Sequence, residues 1–138
     1  MSSNAKRHGL SEPLTLQRVP IALGIMRLPH RSVVPSWTEG GAITSVTRTP
    51  TELSIIVEFE RIPSALHPQG PFATYRVKGT LEFALVGILA RITTALAEAG
   101  VPAFAMSTFD TDYVLVPAPR EADALRVWQA AGILVETK

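Results

Sequence analysis

The stretch TYRVKGTLEFALVGILARITTALAEAG, residues 74–100, changes its period midway, and that change decides how the chain is read. It opens with the alternation of a strand. From Leu85 onward the apolar residues fall at Ile88, Leu89, Ile92, Leu96 and Ala99, one helical stripe, with Arg91, Thr94 and Glu98 turned the other way. Gly100 is the expected stop, and Pro102 lies just beyond it. Downstream, VPAFAMST (101–108) and DYVLVPA (112–118) read as short strands around a turn. PREADALRVWQAAG (119–132) reads as a second helix, with Glu121 and Asp123 in its first turn, Leu125 and Trp128 on the core side and Gly132 at its end. ILVE (133–136) is a last strand. Strand, helix, strand, strand, helix, strand is the order of a ferredoxin-like split βαβ unit.

The upstream half is rich in strands and poor in helix. IALGIM (21–26) alternates, and AITSVTRTPTELSIIVEF (42–59) reads as strand, turn, strand. RIPSALHPQGPF (61–72) carries three prolines and a glycine, so any helix there is limited to one turn. Trp37 stands where a first helix is missing and is expected to plug the core at that place. Shifting the chain by 60 positions lays Thr51, Glu52 and Leu53 over Thr111, Asp112 and Tyr113, with Ile55 and Ile56 over Leu115 and Val116. The halves therefore read as a duplicated unit whose first copy has lost most of its helices. An α+β fold is expected, with two ferredoxin-like (βαββαβ) units packed together. The expected divisions are a disordered leader at 1–12, a degenerate unit at 13–72 and a second unit at 73–138.

Composition narrows the function classes. The 138 residues are 46% hydrophobic and 18% charged, with a formal net charge of +1, which gives no electrostatic case for nucleic acid or an anionic membrane as partner. With no cysteine, disulfides, thiolate metal sites and cysteine nucleophiles are excluded. No run approaches the roughly 20 apolar residues of a membrane span. The polar start MSSNAKRHG lacks the apolar core of a secretory signal, so a cytoplasmic protein is expected. His8, His30 and His67 have no ligand spacing, and no metal or cofactor is implied.

GTLEFALVGILARITTALAEAGVPAFAMSTFDTDYVLV (79–116), with SVTRTPTELSIIVE (45–58) upstream, resembles the small bacterial proteins built from two ACT-type domains. These are related to the ACT repeats of animal cytosolic arginine sensors and of aspartate kinase regulatory regions. The resemblance implies a regulatory fold that binds small ligands, usually amino acids, at the interface between ACT units, which often pair side by side within or between chains. Carried onto this sequence, the ligand loop falls on Leu85, Val86, Gly87 and Ile88. The strand-end segment falls on Ser107, Thr108, Phe109 and Asp110, followed by Thr111 and Asp112.

The residues agree with that assignment. Peptide N–H groups around Gly87 lie at a helix N-terminus, prepared for a carboxylate, and Gly87 permits close backbone approach. A carboxylate at Asp110 or Asp112 suits an ammonium or guanidinium group, so together they can hold both ends of a free amino acid. Asp110 serves a basic side chain or the α-ammonium equally well. The plain alternative is that both acids close an Asx-type turn. In the offset of 60, Asp112 is matched by Glu52 and Asp110 by Pro50, so Asp110 is favoured for the ligand and Asp112 for the hairpin. FDTDYVLV also resembles the DxD motif of haloacid-dehalogenase-type phosphatases, but that chemistry needs further lysine and acidic motifs, and the one lysine after Asp112 is Lys138. The expected protein is non-enzymatic: an amino-acid-binding regulator and homodimer. The alternative is a structural module that dimerises through its sheets or takes a protein partner, without a ligand.

Overall fold

The computed structural model describes residues 13–79 and 87–137. Chain contacts divide it into two compact units, Ile21–Ala73 and the residues on either side of it. Two strands cross the division: β1 (Thr15–Leu28) between Pro20 and Ile21, and β4 (Gln69–Val77) between Ala73 and Thr74.

The smaller unit contains the later part of β1, β2 (Ser45–Arg48), β3 (Leu53–Glu58) and the start of β4, in the sheet order β2-β3-β1-β4. Numbered within the unit this is 4-1-3-2, the ferredoxin order, as the sequence led us to expect. β3 pairs antiparallel with β1, Leu23 opposite Glu58 and Leu28 opposite Leu53, and on its other edge with β2. Both helices of the fold are reduced to single 3-10 turns, Ser36–Thr38 in the first place and Phe59–Arg61 and Ser64–Leu66 in the second. Proline is the physical reason: Pro29, Pro35, Pro63 and Pro68 remove donors that a helix would need.

What replaces the helices is visible in the packing. Leu53, Ile55 and Val57 alternate inward along β3 and form a core with Ile62, against which Trp37 packs as expected. Two arginines and a carboxylate fasten the loops. Arg61 donates to the carbonyls of Trp37 (3.3 Å) and Glu39, while a Glu58 oxygen accepts the Ala42 N–H at 3.1 Å. Arg48 donates to the carbonyls of His30 and, at 2.9 Å, Ser32.

The larger unit runs β4, α1 (Ile88–Glu98), β5 (Phe104–Ser107), β6 (Asp112–Pro117), α2 (Glu121–Ala130) and β7 (Leu134–Glu136), the order read from the sequence. Both helices end as their glycines require. Gly100 and Gly132 adopt φ of 69° and 79°. The next N–H in each case, of Val101 or Ile133, returns to the carbonyl of Leu96 or Trp128 at 2.9 Å. This closes the helix with a Schellman motif. Trp128 is fully buried, its ring edge-on to Tyr75 at 5.0 Å and its indole N–H donating to the Ile92 carbonyl at 3.1 Å. No helix among the described residues is long and apolar enough to cross a membrane.

One strand of this unit comes from an unexpected place. The ferredoxin order would set β7 beside β4, but the sheet runs β7-β1-β4-β6-β5. β7 lies parallel to the start of β1, Thr15 opposite Leu134 and Gln17 opposite Glu136. Leu134 N–H donates to the Leu14 carbonyl (3.0 Å) and Lys78 N–H to that of Thr15 (2.9 Å). The sequence reading took this strand only as residues 21–26. The strand extends upstream because Leu14 and Leu16 bury their side chains (3% and 0% exposed). A proline is tolerated where no ladder N–H is required.

Candidate functional site

The hairpin between β5 and β6 is closed by threonine. Ser107 stands opposite Asp112 at the last rung. Thr108 N–H donates to the Thr111 carbonyl at 2.8 Å, and the Thr108 hydroxyl oxygen accepts the Thr111 N–H at 3.3 Å. The acids do not supply that turn chemistry, so the Asx-turn alternative fails. Asp112 accepts a 2.6 Å hydrogen bond from the Ser107 hydroxyl, across the end of the ladder. Asp110 is exposed at the tip and makes no hydrogen bond or ion pair among the described residues. Phe109 beside it is 81% exposed.

The hairpin of the smaller unit is built the same way. Thr49 N–H donates to the Glu52 carbonyl at 2.9 Å, and the Thr49 hydroxyl oxygen accepts the N–H groups of Thr51 and Glu52. Thr49 therefore corresponds to Thr108, and Leu53 opposite Arg48 to Asp112 opposite Ser107. The offset between the copies is 59 residues, one less than the sequence comparison took. Burial agrees, since Val114 and Val116 occupy the places of Ile55 and Val57. Asp112 is thus matched by Leu53 and Asp110 by Thr51; both acids are peculiar to the larger unit. The argument that an acid recurs at Asp112 as shared turn chemistry does not survive this register.

Thr111 joins the hairpin to β4. It is 4% exposed, and its hydroxyl donates to the Val77 carbonyl at 2.9 Å. Val77 is the last residue of β4, so the turn lies at the strand end from which the chain leads on to α1. Substituting the near-isosteric valine, Thr111→Val, removes the hydroxyl donor to the Val77 carbonyl. A loss of about 1–2 kcal/mol in a urea titration is expected, with little change in the far-UV spectrum.

Of the four loop residues, Leu85 and Val86 lie outside the described residues. Gly87 is the N-cap of α1, with φ 83° and ψ −2°, and no side chain caps the helix. Its carbonyl accepts the Arg91 N–H at 3.0 Å. Ile88 is buried at 7% exposure and faces the core. The structure therefore brings Ser107, Thr108, Thr111 and Asp112 into one bonded cluster, and puts Gly87 at the start of α1.

A second polar cluster escaped the sequence reading. Arg18 of β1 donates to Glu121, at the first residue of α2, at 2.7 and 3.4 Å, and the Tyr75 hydroxyl donates to the same carboxylate. The Arg18 hydrogen bond, against the cost of burial and assisted by Tyr75, holds Glu121 below the usual carboxylate value. Burial, then the Glu121 bond, pushes the Tyr75 phenol well above its usual range. The only hint in the sequence was an acid in a helix's first turn, where dipole stabilisation sufficed as an explanation.

The larger unit is ferredoxin-like, with a helix that starts at Gly87 without a side-chain cap and a polar hairpin tied to the end of β4. Residues 70–129 match the family model described as an ACT domain, and residues 22–65 match a second model described as an N-terminal domain. Over residues 70–129 the chain is similar to ACT domains. Among solved structures it is similar to an Agrobacterium tumefaciens protein, 29% identical over 93% of this chain and 96% of that one, with a TM-score of 0.85. A Vibrio cholerae protein described as of unknown function is 20% identical over 92% and 98%, at a TM-score of 0.72. The regulatory subunit of aspartate kinase from Thermus flavus shares the fold at 12% identity over 87% and 97%, with a TM-score of 0.53. No curated protein sequence matches the chain.

Proposed function

We propose that this is a non-enzymatic, cytoplasmic regulatory protein that binds a free amino acid at the end of the larger unit where β4 leads into α1. The observation that carries the reading is the Thr111 hydroxyl bond to the Val77 carbonyl, which ties the acid-bearing hairpin to the exit of β4. In this reading the α-carboxylate lies on the N–H groups that follow Gly87. Asp110, without a partner among the described residues, takes a cationic group of the ligand. Ligand binding then favours one arrangement of the protein over another, and acts by that difference in affinity. The likeness to an aspartate kinase regulatory subunit supports a regulatory role through its fold alone.

The test is a thermal-shift screen of the purified protein against the twenty amino acids at millimolar concentration. Ligand at 100 times its dissociation constant adds about 2.7 kcal/mol. A shift confined to one or two related amino acids is expected. Silence across the panel, with a cooperative melt, would replace the sensor with a ligand-free interaction module. The two acids separate further. Asp110→Ala is expected to weaken binding about tenfold or more with an unchanged melt. Asp112→Ala loses the Ser107 bond and is expected to cost about 0.5–1 kcal/mol of stability while binding holds. The reverse order in paired titrations and melts would exchange their roles.

A further inference from the structure

A strand of the larger unit stands where a ferredoxin-like order has none. That order pairs β7 with β4, yet residues 15–17 lie between them, with Thr15 opposite Leu134 and Gln17 opposite Glu136. Contacts of several kinds hold the inserted segment. The carbonyls of Leu14 and Thr15 accept the N–H groups of Leu134 at 3.0 Å and Lys78 at 2.9 Å. Gln17 accepts from Arg76 at 2.8 Å, Arg18 is fastened to Glu121 at 2.7 Å, and Leu14 and Leu16 are buried. β4 and β7 meanwhile keep a direct link of their own. The Lys78 ammonium reaches over the inserted strand to the Glu136 carboxylate at 2.7 Å.

We infer that residues 14–20 form a withdrawable strap, and that when they leave, β7 closes on β4 to give the ferredoxin order. The directions already agree. β1 and β4 meet in opposite senses, Thr15 with Lys78 and Gln17 with Arg76. β7 runs parallel to β1, so it points the way an antiparallel partner of β4 must. A shift of one strand spacing, about 5 Å, carries Leu134 and Glu136 into the places that Thr15 and Gln17 vacate. The Lys78–Glu136 pair survives that shift with less distance to span. Withdrawal gives up the burial of Leu14 and Leu16 and the Arg18–Glu121 pair, so the strapped state is the major one and Arg18 is its latch. The consequence reaches the hairpin. Thr15 holds the N–H of Lys78, next to Val77, whose carbonyl takes the Thr111 hydroxyl, so withdrawal loosens the exit of β4. The inference rests on the sheet alone and not on a ligand.

The chain has no cysteine, so an introduced pair reports by itself. With the strap in place, β4 and β7 lie about 10 Å apart, beyond the roughly 7 Å that a disulfide spans. Arg76→Cys with Glu136→Cys is therefore expected to join under oxidised glutathione only as the strap leaves: slowly, to completion, and about tenfold faster when Arg18→Gln is added. Gln17→Cys with Glu136→Cys, on adjacent strands, is expected to join at once. If this second pair closes while the first stays reduced, the inference is overturned. It is overturned equally if the first pair joins no faster than the amides of α1 exchange with deuterium, since global unfolding would then suffice. An unchanged rate with Arg18→Gln overturns the latch. The chain without substitutions gives a further test: the amides of Lys78 and Leu134 are expected to exchange together and ahead of those of α1, and exchange only in step with α1 overturns the strap.

Discussion

Trp128→Ala is expected to lower the unfolding free energy by about 3–5 kcal/mol, the largest single effect available in the larger unit. Three separate contributions vanish together. The indole is fully buried, it meets the Tyr75 ring edge-on at 5.0 Å, and its N–H donates to the Ile92 carbonyl of α1. The side chain therefore joins α2 to α1 and to β4 at once, and no neighbour can collapse into the space from all three directions. Against a typical total of about 5–15 kcal/mol, such a loss brings the unit close to unfolding at ambient temperature. Urea denaturation followed by circular dichroism measures it. Trp128→Phe is expected to recover most of the loss, since it keeps an aromatic ring against Tyr75; equal damage from both would mean that the indole N–H, and not ring packing, dominates. A cost under about 1 kcal/mol for alanine would contradict the burial.

Glu121→Ala is expected to cost about 2 kcal/mol at neutral pH. It leaves the buried Tyr75 hydroxyl without its acceptor and Arg18 without its counter-ion. The side chains of Arg18 and Glu121 are 33% and 23% exposed, so water softens the loss of the ion pair below that of a sealed one. The same cluster makes stability depend on pH at both ends. Glu121 is depressed in the folded state below its ordinary 4.5, so its contribution is full above about that pH and falls away as the solution is acidified through the folded value. Tyr75 is raised above its ordinary 10.0, so its contribution is full below that pH and is lost as the solution becomes more alkaline. Glu121→Gln is expected to flatten the acid arm of a stability–pH profile while the alkaline arm persists. An acid arm unchanged in this variant would assign the titration to other carboxylates.

The parts of the fold that were legible in the sequence are those set by local rules. The change of period in residues 74–100 located α1, and Gly100 and Gly132 stopped the helices where their left-handed conformations allow it. Prolines around Trp37 and Ile62 announced the lost helices of the smaller unit. What stayed hidden depends on partners far away in the chain. Nothing near Leu14 reveals that Leu134 will lie beside it. The candidate site was half legible. Threonine at 49 and 108 is the shared turn residue, but the acids around it drew the comparison one residue out of register. Glu121 looked complete as a helix-start acid, and only the folded chain brings Arg18 and Tyr75 to it.

The early strand beside the late one also bears on how the protein is made. Ile21–Ala73 has all its strands once Ala73 has left the ribosome. The larger unit cannot finish its sheet until Leu134–Glu136 emerges, because β7 pairs with the start of β1, made long before it. Until β7 is made, the nascent chain must carry Leu14 and Leu16 without that neighbour. A pairing of such sequence separation closes slowly and leaves apolar strand exposed in the interval. The demand on chaperones during synthesis therefore falls on β1, whose partner β7 is made long after it.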